Sequence, residues 1–285
     1  MLAFTKRNPI EIAESIRNLD SELNSVEFIQ HLIQYIPNET ESTSSAKRSA
    51  INAFTRLSGA KEQLTPADRL VYEILQIPFY MERLNTLKFK LIFADNCRLI
   101  TEQLQLLYDA CVFLYHSVHI KKLLEIILSV INHLNSTPTH RILTLDDLSK
   151  VSELKTPKTR VPIINIVSQI CRDRHPEIFD LKDNYHLIFS ASKIDLNIVK
   201  YEIDQMQKEF QQIQLWMEKL DVKMNLQTFL SDCREKLPEI VRSCQLTTDQ
   251  YSKTISYFTQ QTTTSVIFLS IFANLIQSLQ IKRQN

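Results

Sequence analysis

His116 and His119 stand three residues apart in a stretch with helical spacing, so they can share one face as metal ligands do. No carboxylate or cysteine supplies a convincing third ligand and HExxH is missing, which makes ordinary surface or packing histidines the better reading. Cys111 lies in an apolar run, where a small core residue is commoner than a nucleophile. Asp146-Asp147 precede Leu148 and fit the first turn of a helix, where carboxylates complement the macrodipole. No acid, base and nucleophile combine above chance. The chain is not read as an enzyme, and neither a metal nor a cofactor is called for.

Glycine sharpens that exclusion. The 285 residues contain one, Gly59, where ordinary usage of about 7% gives roughly 20. Walker loops, dinucleotide fingerprints and nucleophile elbows each need several glycines at fixed spacing. Tight β-hairpins need them too. The elements left to position any functional residue are helices, joined by Asn-, Ser-, Thr- and Pro-based connections.

At 44% hydrophobic and 23% charged, with a net charge of +1, the composition is that of a folded globular chain. No global field steers it towards nucleic acid or an anionic membrane. Five scattered cysteines without a C-x-x-C pair read as reduced thiols of a cytosolic protein. Only five residues precede Lys6 and Arg7, too few for the apolar core of a signal peptide. The apolar stretch 266–279 contains Ser270, Asn274, Gln277 and Ser278. A membrane span needs about 20 residues, so this reads as a buried terminal helix.

Prolines and polar clusters mark the boundaries. Pro9 opens a helix to about Asp20, with Ile12, Ile16 and Leu19 on one face. A second helix carries Ile29, Leu32 and Ile36 up to Pro37, and residues 38–45 are loop-like. Thr65-Pro66 is an N-cap followed by Pro at N1, opening a helix to Gln76. Helices are expected over 80–110, 117–135 and 163–172, with a loop bracketed by Pro157 and Pro162 before the last. From Leu187 an apolar seam runs through Ala191, Ile194, Ile198 and Tyr201, then Met206, Phe210, Ile213, Met217 and Leu220. Its steps are 4 and 3 with one step of 5. That predicts one long seam helix over 187–222, a rod of about 50 Å, and hence an elongated molecule.

Residues 64–93 read LTPADRLVYEILQIPFYMERLNTLKFKLIF. This resembles the formin homology-2 domain through Ala67-Asp68, Ile77-Pro78, Arg83-Leu84, and Leu87, Phe89, Lys90 and Phe93. The likeness continues in register. Ser117 with Lys122-Leu123-Leu124-Glu125 and Leu128 is similar to a family helix, and Asn132-His133-Leu134-Asn135 to a Gly-Asn-x-(Met/Leu)-Asn signature whose Gly is Ile131 here. Leu148-Ser149-Lys150-Val151 with Lys155 matches a Leu-x-Lys-Leu-x-Asp-Thr-Lys segment, with Glu153-Leu154 where Asp-Thr is usual. His175-Pro176-Glu177, Ala191-Ser192-Lys193-Ile194, Tyr257-Phe258, Phe268 and Phe272 fall where the family has similar residues.

The resemblance implies an all-α domain with knob, coiled-coil and post regions, spanning 1–285 and starting within the knob, without the family's N-terminal lasso and linker. It also implies a non-catalytic role: paired knob and post surfaces hold actin subunits in filament-like geometry on the cytoplasmic actin cytoskeleton. Lys155 matches a basic actin-contacting position, and Lys150, Lys158 and Arg160 lie near it in sequence. A basic patch suits a rim contact with an acidic surface; solvated loop lysines are the competing reading. Ile131, Asn132 and Asn135 mark the post, where Asn135 suits a helix C-cap. Arg83 and Lys90 read as structural, snorkelling along a helix face.

The missing glycines at Ile131 and in the shortened loop 136–142 are expected to alter the surface that would receive a partner's lasso, impairing dimerisation. Nucleation by this chain alone should then be weak, because two linked half-sites gain from effective concentration. Two other readings stay open: a helical scaffold that has lost actin, and a part of a longer formin whose upstream proline-rich tracts bind profilin and feed actin. No nucleic-acid or membrane partner is implied.

Overall fold

A computed structural model describes residues 8–20, 25–36, 53, 64–135, 142–157, 159–217, 223–259 and 263–281. Among them the secondary structure is helical, with one isolated antiparallel bridge between Lys155 and Pro162. The chain packs as two compact units. One comprises residues 1–98 and 204–239, the other 99–203 and 240–285.

In the first unit, α1 (Pro9–Asn18) starts on the Asn8 cap and buries Ile12, Ala13 and Ile16. It packs on α3 (Pro66–Leu75), which starts as expected on Thr65, whose hydroxyl accepts from the Asp68 amide. Between them in sequence, α2 (Val26–Tyr35) buries Ile29 and Leu32. Leu19 closes α1 at φ 56°, and Phe79 at φ 57° precedes α4 (Tyr80–His116). Both take the left-handed conformation that glycine usually supplies. Two cations of α4 answer the exposed carbonyls at the end of α1. Arg83, 6% exposed, donates to the oxygens of Arg17 and of Pro78, and Lys90 donates to that of Leu19 at 3.1 Å. The pair is structural as expected, but it caps a helix 66 to 71 residues away rather than only lying along its own.

Three helices supply residues to both units: α4, α9 (Leu196–Met217) and α10 (Lys223–Phe258). Each carries buried residues at alternating steps of 3 and 4. In α4 these are Phe93, Cys97, Ile100, Leu104, Leu107, Cys111 and Leu114. In α10 they run from Leu226 and Leu230 through Cys233, Leu237, Ile240 and Cys244 to Thr247. Sustained spacing of this kind keeps one stripe turned to partner helices. In the first unit Phe89 and Phe93 meet Phe229 at ring-centroid distances of 5.9 and 5.6 Å. Pro238 lies on the exposed side of α10, where water can take the carbonyl its ring leaves unpaired.

The seam helix expected over 187–222 is corrected. α8 (Tyr185–Ala191) stops, and α9 begins anew at Leu196; residues 218–222 lie outside the described ones. Asp195 restarts the helix, its carboxylate accepting from the Asn197 amide at 2.8 Å and its carbonyl from Val199 at 3.1 Å. The buried Ser265 donates to the Ile194 carbonyl at 2.8 Å and accepts from the Leu196 amide at 3.0 Å, so the break is satisfied by another helix. The true seam is Leu196, Val199, Ile203, Met206, Phe210 and Ile213. Ile198 and Tyr201, placed on it from sequence, are 58% and 64% exposed.

In the second unit α11 (Ser265–Ile281) is the buried terminal helix anticipated, with Phe268 and Phe272 fully enclosed. Their rings form a cluster with Tyr251 and Phe258. Around α11 pack α6 (Leu145–Lys150), α7 (Ile163–Arg174), α8 and a 3-10 helix (Pro176–Asn184), while α5 (Val118–Asn135) packs on α7 and the 3-10 helix. No helix among the described residues is long and apolar enough to cross a membrane.

Candidate functional site

The segment 144–163 carries the basic residues singled out above. Its start is fixed by a capping box. The Thr144 hydroxyl accepts from the Asp147 amide at 3.1 Å, and the Asp147 carboxylate accepts from the Thr144 amide at 3.0 Å. Asp147, 8% exposed, thereby has a structural role at the helix start, as read from sequence. Its neighbour Asp146 pairs with Lys150 at 2.7 Å on the exposed side of α6. That hydrogen bond raises the Lys150 ammonium above its ordinary pKa, with the charge of Asp146 adding. A local carboxylate therefore partly engages the Lys150 charge.

Beyond α6 the chain makes a tight hairpin-like turn. Its arms are joined by the Ile163 amide to the Leu154 carbonyl at 2.8 Å and the Thr156 amide to the Val161 carbonyl at 2.9 Å. Buried Val151 and Ile163 hold the two ends in the core. Arg160 donates its amide to the Thr156 carbonyl at 3.1 Å and sits at φ 56°. A non-glycine residue takes that conformation at a cost of about 1–2 kcal/mol, so the surrounding bonds must hold it. Lys155 and Arg160 are both exposed on this turn. Lys158 lies outside the described residues.

The structure brings Lys155 and Arg160 onto one fixed turn and sets Lys150 at its base, where the Lys150 carbonyl accepts from Leu154 at 3.0 Å. Leu154 and Val161, each 37% exposed, add an apolar edge. Sequence reasoning overlooked Thr156, 7% exposed, whose side chain closes the turn; its signal was a hydroxyl immediately before Pro157 in a segment without glycine.

The residues read as the post, Ile131, Asn132 and Asn135, lie at the end of α5. Ile131, read from sequence at a signature position, is 5% exposed, so its side chain lies in the core. Asn132 is half-buried; the side chain of Asn135 and residues 136–141 lie outside the described ones. His119 lies near Glu177 across the packing of α5 on the 3-10 helix, and His175 bonds Glu177 at 3.2 Å. A backbone hydrogen bond holds Glu177 below the usual carboxylate range, and His175 and His119 lower it further. Among the described residues no three His, Cys, Asp or Glu side chains form a group able to hold a metal ion.

The family model of the Formin Homology 2 Domain matches residues 1–281. The chain belongs to the formin homology 2 family. Formin-like protein 1 of Homo sapiens is 23% identical over 277 residues, covering 96% of this chain and 25% of that protein. Formin-like protein 3 of Homo sapiens is 22% identical over 282 residues, covering 98% and 27%. Protein diaphanous homolog 3 of Homo sapiens is 22% identical over 211 residues, covering 73% and 17%. The chain thus spans about a quarter of the length of the formin-like relatives it matches. The helical architecture is that of the formin homology 2 fold, and the 144–163 segment falls within the matched region.

Proposed function

We propose that this chain is an actin-binding module of the formin type, acting on the cytoplasmic actin cytoskeleton, with Lys155 as its leading contact. The observation that carries the reading is an exposed lysine, held on a turn closed by backbone bonds, in a chain of the formin homology 2 family. Among the described residues no ion pair occupies Lys155, whereas Lys150 is engaged by Asp146. A cation pre-positioned by the backbone meets an acidic surface without first ordering its own loop. Arg160 and Lys158 widen the patch, and Lys150 borders it.

Binding here is non-catalytic. One site on one chain holds one actin subunit; promoting assembly needs two sites joined at high effective concentration. The 285-residue chain alone therefore binds filaments or subunits and nucleates weakly. Co-sedimentation with actin filaments and a spontaneous assembly time course test this together. Binding without strong acceleration is expected; sub-micromolar acceleration by a chain that sediments as a monomer would overturn the weak-nucleation part. Profilin-actin enters only through proline-rich segments of a longer protein.

A second reading, a helical scaffold that has lost actin, draws on the exposed Ile198 and Tyr201 of α9, apolar residues suited to another protein's surface. Its mark is absence of actin co-sedimentation at any ionic strength.

A further inference from the structure

The turn that carries Lys155 is closed by two hydroxyls, one buried and one exposed. The Thr156 hydroxyl accepts from the Val161 amide at 3.0 Å and meets the Thr159 hydroxyl at 2.6 Å. Thr156 is 7% exposed, whereas Thr159 stands on the surface. The local sequence is Lys155-Thr156-Pro157-Lys158-Thr159-Arg160. An exposed threonine flanked on both sides by cations, on a turn rather than in a helix, is what an acidic-grooved, basophilic protein kinase recognises. Thr156, although followed by proline, is shielded from any such enzyme by burial.

We propose that Thr159 is a phosphorylation site, and that its modification opens the hydroxyl link and switches off the Lys155 turn as a contact for an acidic surface. The second half rests on the actin reading above. In the step, the Thr159 hydroxyl oxygen bonds to the γ-phosphorus of ATP while its proton passes to the kinase base. The bond from that phosphorus to the β,γ-bridging oxygen breaks, and ADP leaves. The product carries a charge of about −1.5 to −2 near neutral pH. It offsets the cations of the turn and repels an acidic partner. Either hydroxyl can donate across the 2.6 Å contact; phosphorylation removes the Thr159 proton, and its phosphoryl group is too bulky to keep that spacing beside a buried side chain. Charge and geometry therefore act in the same direction.

The test treats the purified 285-residue chain with ATP and a basophilic kinase. It maps the phosphate by mass spectrometry, follows hydrogen exchange at the Val161 amide, and measures actin co-sedimentation. Phosphate on Thr159 and not Thr156 is expected, with Val161 exchange at least tenfold faster and actin binding at least fivefold weaker. Thr159→Ala should take no phosphate there, and kinase treatment should no longer change its actin binding. Phosphate on Thr156 alone, or a Thr159-phosphorylated chain that keeps both its Val161 protection and its actin affinity, overturns the proposal. If Lys155→Asp leaves actin binding intact, the actin reading fails by itself. Phosphate mapping and Val161 exchange still decide the Thr159 site.

Discussion

Thr254 donates its hydroxyl to the carbonyl oxygen of Cys111 at 3.2 Å, linking α10 to α4 inside the second unit. Thr247 repeats the arrangement one heptad earlier, to Leu104 at 3.4 Å. Both pairs are separated by 143 residues, so the two helices run parallel in one register. The single proton of Thr254 is shared with its own Gln250 carbonyl at 2.8 Å. Thr254→Val keeps the shape and removes the hydroxyl, so a loss of about 0.5–1.5 kcal/mol is expected. Urea unfolding at unchanged slope measures it.

The α1 clamp should matter more. Arg83→Met leaves the Arg17 and Pro78 carbonyls without their cationic donor in a part-buried place, at a cost of about 1.5–3 kcal/mol. Exposed Asp95→Ala, on the same helix, should change stability by less than about 0.5 kcal/mol. Comparable losses from the two would show that the clamp contributes little.

All five cysteines are free and buried. Burial pushes the Cys97 and Cys171 thiols up to about 11, and those of Cys111 and Cys233 to about 12. In the native protein they should resist a thiol reagent at pH 8, and all five should react on denaturation. The same shifts set a pH dependence. The folded state holds these protons more tightly than the unfolded chain, so the thiol contribution is complete below 9.0 and is lost as pH rises towards 11–12. Burial also raises Tyr251 to about 12, adding to the alkaline loss. Thermal melts between pH 8 and 11 should show a falling midpoint; a flat profile would contradict the burial of these groups.

Ile131→Gly should destabilise. It empties a buried site, and glycine loses more backbone freedom on folding, together about 3–6 kcal/mol. A neutral result would mean that the Ile131 side chain packs against little.

Helix starts were legible because their signals are local. Thr65-Pro66 and Pro9 give a cap or a fixed φ within one turn, and the structure starts helices at both. The terminal helix was legible from its apolar run. The seam of α9 was misread because two stripes with the same period pass through it. Ile198 and Tyr201 look as apolar as Val199 and Ile203, and periodicity alone cannot choose a phase. Asp195 was the deciding signal, a cap that resets the helix and removes the need for a step of five. The roles of Arg83 and Lys90 depend on carbonyls 66 and 71 residues away, which no local pattern reveals. At the site, the cluster of cations was visible in the sequence. Its fixation by Thr156 was not, because that depends on the chain folding back to Val161.

The most direct measurement is actin co-sedimentation of the native chain beside Lys155→Asp, at matched folding by circular dichroism. Lys155 is exposed and its backbone bridge to Pro162 does not involve the side chain, so the fold should be unaffected. At low salt the reversal should weaken binding about tenfold, with the difference shrinking as salt rises. Equal binding by the two proteins at every ionic strength would contradict Lys155 as the contact, and with it the turn as the actin-facing site.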